Sequence, residues 1–450
     1  MKRVTHDFTQ GPVLGPLMRF ALPVLLAIFL QTMYGAVDVM IVGQFGTAAD
    51  VSAVTTGTSI MQTITTIIVS LSMGTTILLG RRLGEGRRDE AGRVIGASMA
   101  LFALLGAVVV VAMQPLAGPM AGVMQAPAEA FDGTVTYVRI CSAGALFIVA
   151  YNVLGSIFRG LGDSVMPLIS VAIACALNIA GDLMLVGWLH MGVAGAALAT
   201  VLAQAISVLV SLAIIRKRGL PFTFTRACIH FDREIMGEVV RLGAPIALQD
   251  LLVSISFLAI TAIVNTLGVV ASAGVGVAGK ICGFIMLVPS AYMQAMSAFV
   301  AQNMGARKPE RAHRALWMSI GTSLAVGLVM AWASFFHGDV MSGWFAGDNA
   351  DVIAAAADYL KAYSIDCLLV SFLFCFVGYF NGCGATRFVM AQGIVGAFGV
   401  RVPVSMLMSR LKPMSLFMVG LATPCSTVVQ IAMCAVCYLR IRRAERSALL

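Results

Sequence analysis

Leu17-Met18-Arg19-Phe20-Ala21-Leu22-Pro23 returns later in the chain as Val239-Val240-Arg241-Leu242-Gly243-Ala244-Pro245. Each copy sets Arg at the foot of an apolar run and Pro in its first turn, where a missing backbone N–H costs least. Three further blocks recur at the same offset, give or take a residue. The arginine-rich stretch from Gly80 to Arg93 returns from Ala301 to Arg314, keeping Gly84 as Gly305, Arg87 as Lys308, Asp89 as Glu310, Ala91 as Ala312 and Arg93 as Arg314. Tyr137-Val138-Arg139 meets Tyr359-Leu360-Lys361, and Phe158-Arg159-Gly160-Leu161-Gly162-Asp163-Ser164 meets Phe380-Asn381-Gly382-Cys383-Gly384-Ala385-Thr386. Four ordered blocks at one spacing mark a duplicated unit.

The unit is built for lipid. Of 450 residues, 59% are hydrophobic and only 11% charged, with a mean hydropathy of +0.93. Soluble domains carry roughly a quarter charged residues. Runs of about 20 apolar residues suffice to cross a bilayer. Twelve such runs lie near 17–43, 51–79, 94–119, 133–158, 165–188, 192–215, 240–266, 272–300, 315–336, 355–380, 388–409 and 415–439. The expected fold is an all-α membrane protein of twelve transmembrane helices in two six-helix bundles, related by a pseudo-twofold axis along the membrane normal. Its divisions are a cytoplasmic stub 1–16, an N-terminal lobe 17–216, a cytoplasmic linker 217–238, a C-terminal lobe 239–439 and a basic cytoplasmic tail 440–450.

A formal charge of +9 invites a nucleic-acid reading, but the basic residues occupy every second connection. Arg81, Arg82, Arg87 and Arg88 share one side with Arg159, then Arg216, Lys217 and Arg218, then Arg307, Lys308, Arg311 and Arg314, then Arg387, and the tail Arg440, Arg442, Arg443 and Arg446. The positive-inside rule makes that side cytoplasmic, with both termini there. The opposite connections hold Asp50, Glu129, Asp132, Asp339, Asp348 and Asp351, with Arg410 and Lys412 as the exception. A monomer in the cell membrane, its partners the lipid bilayer and small molecules and not nucleic acid, is expected. The Met1-Lys2-Arg3 start lacks the short apolar core of a cleaved signal peptide.

Ten cysteines fall nearly all within apolar runs, where a thiol behaves as a small hydrophobe. The five histidines, His6, His190, His230, His313 and His337, fall at ends and connections, so no buried histidine relay is expected. The turns Gly160-Leu161-Gly162-Asp163 and Gly382-Cys383-Gly384 lack the strand and the Lys-Ser/Thr pair of a phosphate loop. They read as tight turns between helices. With no nucleotide-binding domain, transport runs on an ion gradient or facilitated flow. No cofactor is called for, and no Ser/His, His-Glu-x-x-His or loop-borne acid pair marks an enzyme.

Charges inside spans carry the chemical information, because a carboxylate at membrane depth is costly. Asp38, Asp182 and Thr200 each lie roughly 8–12 Å below the outer end of their spans at about 1.5 Å per residue. Asn178 precedes Asp182 by one helical turn on the same face, and Gln31, Tyr34 and Asp38 form one polar stripe. Two close buried carboxylates cannot both stay ionised cheaply. Either one holds a proton, or a monovalent cation such as Na+ neutralises the pair with Asn178 and Thr200 completing an oxygen shell. The repeat offset carries Asp38 to Ile260 and Asp182 to Val404, so neither acid has a mate and ion coupling is expected in the first half. The second half offers Asp250, Lys280 and Asp366, read either as an internal ion-pair network or, for Lys280, as a substrate contact. Met33 and Met61 either pack or line a cavity with soft, adaptable side chains.

Taken in order, Pro23, Asp38 followed by Val42-Gly43, Gly84-Glu85-Gly86, Phe158 to Asp163, and Asn178 with Asp182 resemble the multidrug and toxic compound extrusion (MATE) transporters. The DNA-damage-inducible F-like branch is the nearest, and the resemblance covers roughly residues 12 to 440. It implies two lobes with alternating access, exporting amphipathic and often cationic compounds in exchange for Na+ or H+. It places Asp38, Asn178, Asp182 and Thr200 at the cation site, and Gln31, Tyr34, Met61, Tyr137 and Asn152 in or beside the substrate cavity of that lobe. Where another branch has acids in the C-terminal lobe, this chain has Val253 and Asn381. The rival reading is a flippase for lipid-linked precursors, which calls for several basic cavity residues. Lys280 and Arg401 are the only candidates.

Overall fold

In the computed structural model, residues 7–218, 229–347, 349–411 and 415–449 are described. The first six residues, His6 among them, the linker residues 219–228, Asp348 and Lys412 lie outside them. Seventeen α-helices follow in order: α1 Leu14–Phe45, α2 Ala48–Gly84, α3 Arg88–Val123, α4 Ala128–Ala143, α5 Ala145–Gly160, α6 Val165–Asp182, α7 Gly192–Arg218, α8 Arg233–Asn265, α9 Val269–Ile285, α10 Leu287–Gly305, α11 Pro309–Phe336, α12 Gly338–Ala346, α13 Ala350–Gly382, α14 Thr386–Ile394, α15 Val402–Met408, α16 Leu416–Gly420 and α17 Ala422–Leu449. Eleven rods are long and apolar enough to cross a membrane, and α4 with α5, bent by 59°, completes the twelve spans. Every apolar run of the sequence forms one.

Several spans are broken in ways hydropathy does not reveal. The bend between α4 and α5 falls at Gly144, where an added Cβ would lie 2.3 Å from Cγ1 of Val201. A wider π-helical turn, Leu183–Trp188, continues α6, and another, Val395–Arg401, joins α14 to α15. Such turns leave the ordinary hydrogen-bond ladder and often accompany functional positions. The two repeated glycine turns are the expected helix ends: Gly162 and Gly384 share φ 78°, and the N–H groups of Asp163 and Ala385 donate back to the carbonyls of Phe158 and Phe380 respectively, each at 2.9 Å. Glycine suits that left-handed position because it has no Cβ to clash. The third repeated turn differs, since Gly86 has φ 75° while its mate Arg307 holds φ 55° as a non-glycine.

The chain divides into two compact units. The first comprises Met18–Ala247 and Ala301–Arg307 with residues near Phe8, and so takes in the start of α8 and the end of α10 beyond the N-terminal lobe of the sequence. Glycine crossings hold it together. An added Cβ on Gly74 would stand 2.2 Å from the Val239 carbonyl oxygen, and one on Gly243 would stand 2.1 Å from that of Leu71. The repeat-mates Gly84 and Gly305 behave alike, against the carbonyls of Gln302 and Arg81. Small residues let backbones approach in membranes, where helix association rests on packing and hydrogen bonds. Polar links complete the unit: Gln302 donates to Gly160 O at 3.0 Å, Asn303 to Phe8 O at 3.2 Å, and Arg82 pairs with Glu238 at 3.2 Å.

The second unit runs through Leu248–Val300 and onward from Lys308. Its core gathers α8, α9 and α13 around Ile260, Val264, Ala278, Tyr359 and Tyr363. His313 lies at the end of a span as expected, but it is buried there. It is only 2% exposed, on the first turn of α11, stacked on Tyr379 with Nδ1 at 3.3 Å from the phenol oxygen. Every cysteine among the described residues is free.

Candidate functional site

Three helices of the first unit bring the predicted ion site together. Asp38 from α1 is 3% exposed, Asn178 and Asp182 from α6 are 1% and 0% exposed, and half-buried Thr200 comes from α7. The close approach of α6 to α7 is made at Gly181, where an added Cβ would lie 3.0 Å from the Ala199 methyl. Asn178 Nδ2 then reaches Thr200 Oγ1 at 3.4 Å, and Thr200 gives its own proton to the Ala196 carbonyl at 3.1 Å. Asp38 and Asp182 stand opposite each other, within hydrogen-bonding reach when one of the pair holds a proton. Asp38 Oδ1, Asn178 Oδ1 and both Asp182 oxygens lack a donor among the described residues.

That is chemically unusual, since buried polar atoms nearly always find a partner. Four acceptor oxygens, two carboxylates among them, converge, and the amide N–H of Asn178 is turned away to Thr200. The set suits one small positive charge, either a proton shared between the acids or a desolvated monovalent cation. No group of three or more His, Cys, Asp or Glu suited to a tightly held metal occurs among the described residues. The π-helical turn begins at Leu183, directly after Asp182, so the carboxylate stands where the regular ladder ends.

The aromatic and amide residues predicted for a cavity divide into two groups. Tyr34 lies near Asp38 and beside Gln204, while Tyr137 packs its ring on Gly57 and meets Thr58 Oγ1 at 3.1 Å. Both tyrosines border the acids. Gln31 and Met33 are half-buried on the α1 stripe. Met61 is buried within the apolar cluster of Ile41, Val42, Tyr137 and Cys141, which makes it packing behind the site. Asn152 turns back on its own helix, with Nδ2 at 2.7 Å from the Ile148 carbonyl. Sequence reading missed Gln204, which is buried with Oε1 lacking a partner among the described residues. Its signal was present: Gln204 follows Thr200 by four and shares its helical face.

Of the second-half charges, Lys280 and Asp366 stand apart. Lys280 is exposed on α9, its Nζ 6.0 Å from the Phe345 ring centroid, and no ion pair joins it to Asp366 among the described residues. Asp250 is half-buried on α8. Asp366 is 1% exposed and feels a different cation, Arg401 from the second π-helical turn. Arg401 donates to Ser256 Oγ at 3.1 Å and lies over the Phe257 ring at 4.4 Å. Val253 is half-buried. Asn381 is fully buried with both amide atoms lacking partners among the described residues.

Comparison with known proteins bears on the family and the fold. The MatE family model matches twice, over residues 23–184 and 245–407, so that each match opens on one of the repeated prolines. A probable multidrug resistance protein of Bacillus subtilis, YoeA, is 24% identical over 95% of this chain and 94% of its own length. The multidrug export protein MepA of Staphylococcus aureus is 24% identical over 90% of this chain and 89% of its own. Among solved structures, that of a MATE protein in complex with MaL6 superposes with a TM-score of 0.92 at 22% identity, covering 99% of this chain and all of that one. The chain therefore belongs to the MatE family, the multidrug and toxic compound extrusion transporters, and is a multi-pass membrane transporter and not an enzyme.

Proposed function

We propose that the protein exports amphipathic, cationic organic compounds by antiport against Na+ or H+, with coupling confined to Asp38, Asn178, Asp182 and Thr200. One observation carries the reading: four buried acceptor oxygens from two helices converge with no donor among the described residues. A site of this kind is stable when occupied by a positive charge and strained when empty. Antiport follows if substrate and ion each favour a different state of the same lobe, because only differential affinity moves such an equilibrium. Tyr34, Tyr137 and Gln31, beside the acids, supply aromatic faces and an amide for a cationic aromatic substrate. The export role named for MepA, and the multidrug resistance named for YoeA as probable, fit this direction of transport. The lobes 17–216 and 239–439, joined by the linker 217–238, work as a monomer in the cell membrane with both termini in the cytoplasm.

The test is efflux of a fluorescent organic cation from proteoliposomes, with Na+ and H+ gradients imposed separately. One gradient drives efflux by the wild-type protein, and neither drives it in Asp38→Asn, which still inserts. Normal gradient-driven efflux by that variant would falsify the assignment.

A further inference from the structure

We propose that the second unit carries a separate binding site for uncharged, planar aromatic compounds, in a cavity of about 410 Å³ between α8, α9 and α13. This goes beyond the cation exchange proposed above and uses none of its residues. The volume falls in the range of about 300–1,000 Å³ usual for small-molecule sites.

One wall is a rail of glycines. Gly276, Gly279 and Gly283 line the cavity from one face of α9, and nothing lies within 4 Å of a Cβ built on any of them. Packing does not require glycine there. Gly274 on the same helix shows the contrast, since its added Cβ would meet Ala355 at 2.7 Å. The three glycines keep a slot open, whereas Gly274 closes a contact.

The facing wall is aromatic. Tyr359 and Tyr363 stand on successive turns of α13, both buried, and Phe257 comes from α8. Phe257 is 41% exposed, yet its ring is held by the Arg401 guanidinium 4.4 Å from the centroid, itself tethered to Ser256. A flat slot between a smooth backbone rail and aromatic rings favours a planar partner, because stacking needs offset or edge-on ring faces at close range. Charge points to a neutral one. No Asp, Glu, Lys or Arg lines the cavity, and Arg401 already occupies the ring quadrupole of Phe257 that would otherwise attract a second cation. At one end Asn265 and Ser272, hydrogen-bonded at 2.6 Å, supply a polar rim suited to a ring substituent and without use to an acyl chain.

The experiment is photolabelling of the full chain in proteoliposomes with azidopyrene, mapped by peptide mass spectrometry. Label falls on α8, α9 and α13 in the wild type and is displaced by excess pyrene but not by oleic acid. Gly279→Leu, which fills the slot, lowers this labelling by more than about tenfold, equivalent to roughly 1.4 kcal/mol of binding. Gly279→Ala keeps it within about twofold, since a methyl enters open space. Gly276→Leu gives the same loss and serves if Gly279→Leu does not insert. Displacement by oleic acid marks a lipid slot and overturns the proposal. So does label spread over all the spans, or labelling that Gly279→Leu and Gly276→Leu leave unchanged.

Discussion

Asp182 and Asp366 are both buried carboxylates at membrane depth, but their surroundings assign them different work. Asp182 has two oxygens without a donor among the described residues and a second acid opposite. Asp366 has one such oxygen, Oδ1, but lies beside the Thr427 hydroxyl and within the field of the buried Arg401 guanidinium. On the proposed coupling, a mobile ion serves the first, whereas the second already has a cation of the protein nearby. Asp182→Asn should therefore cut gradient-driven efflux by more than about tenfold, within the usual span of coupling energies, while thermal stability in detergent holds or rises. Asp366→Asn should do the reverse, lowering the unfolding temperature because Arg401 loses its counter-charge, with the ion-to-substrate ratio of the surviving protein unchanged. Equal loss of coupling in both variants, measured as efflux per correctly inserted molecule, would spread the ion site over both halves. The acids and Asn178 were legible in the sequence, because depth and one-turn spacing are counts along a helix. The fate of Asn152 and Met61 was not, because a side chain's choice between a cavity, its own helix and the core depends on neighbours that arrive from elsewhere.

At the scale of elements, the entry to α8 shows how charge outside the bilayer organises a helix within it. Asp232 caps α8, its Oδ1 accepting from the Ile235 N–H at 3.2 Å, while Oδ2 meets Arg93 of α3 at 2.6 Å. His230 Nε2 stands 3.7 Å away. Burial alone would raise the carboxyl, but the Ile235 N–H and the Arg93 guanidinium outweigh it and hold Asp232 below its ordinary value. A depressed acid stabilises the fold above its unfolded pKa, near 4, and loses that contribution as pH falls through the folded one. Thermal stability in detergent should thus fall below pH ~4. Asp232→Asn, which keeps the cap and removes the charge, should flatten part of that acid limb and cost a few tenths to about 1 kcal/mol at neutral pH. An unchanged acid limb would remove the pair from the account. Hydropathy placed all the spans, since about 20 apolar residues are an unambiguous signal. It was blind to the bend at Gly144 and to both π-helical turns, which change hydrogen-bond register without changing composition.

Across the whole molecule, the repeat preserves scaffold and abandons chemistry. Pro23 and Pro245, Gly84 and Gly305, and the turns at Gly162 and Gly384 recur in sequence, and the glycines of those pairs recur in local geometry as well. The position matching Asp38 is Ile260, buried at 3% exposure against Val264, Ala278, Tyr359 and Tyr363. The offset that carries Asp182 to Val404 carries Asn178 to Val400, next to Arg401. Where the first half presents two facing buried acids, the second has apolar and aromatic side chains around a cavity, with the buried cation Arg401 nearby. Restoring the symmetry should therefore fail. In Ile260→Asp a carboxylate would stand at the buried, apolar and aromatic wall of the second-unit cavity with no partner carboxylate, since the matching position Val404 carries none. The expected cost is about 3 kcal/mol or more, read as a lower unfolding temperature and lower yield. The Ile260→Asp, Val404→Asp pair should transport, if at all, with the wild-type ion-to-substrate ratio, measured by paired ion and substrate fluxes at a fixed gradient. A doubled ratio in that double variant would show that the second half retains a latent ion site, and that loss of the acids alone, with no rebuilding of the surrounding core, set the asymmetry.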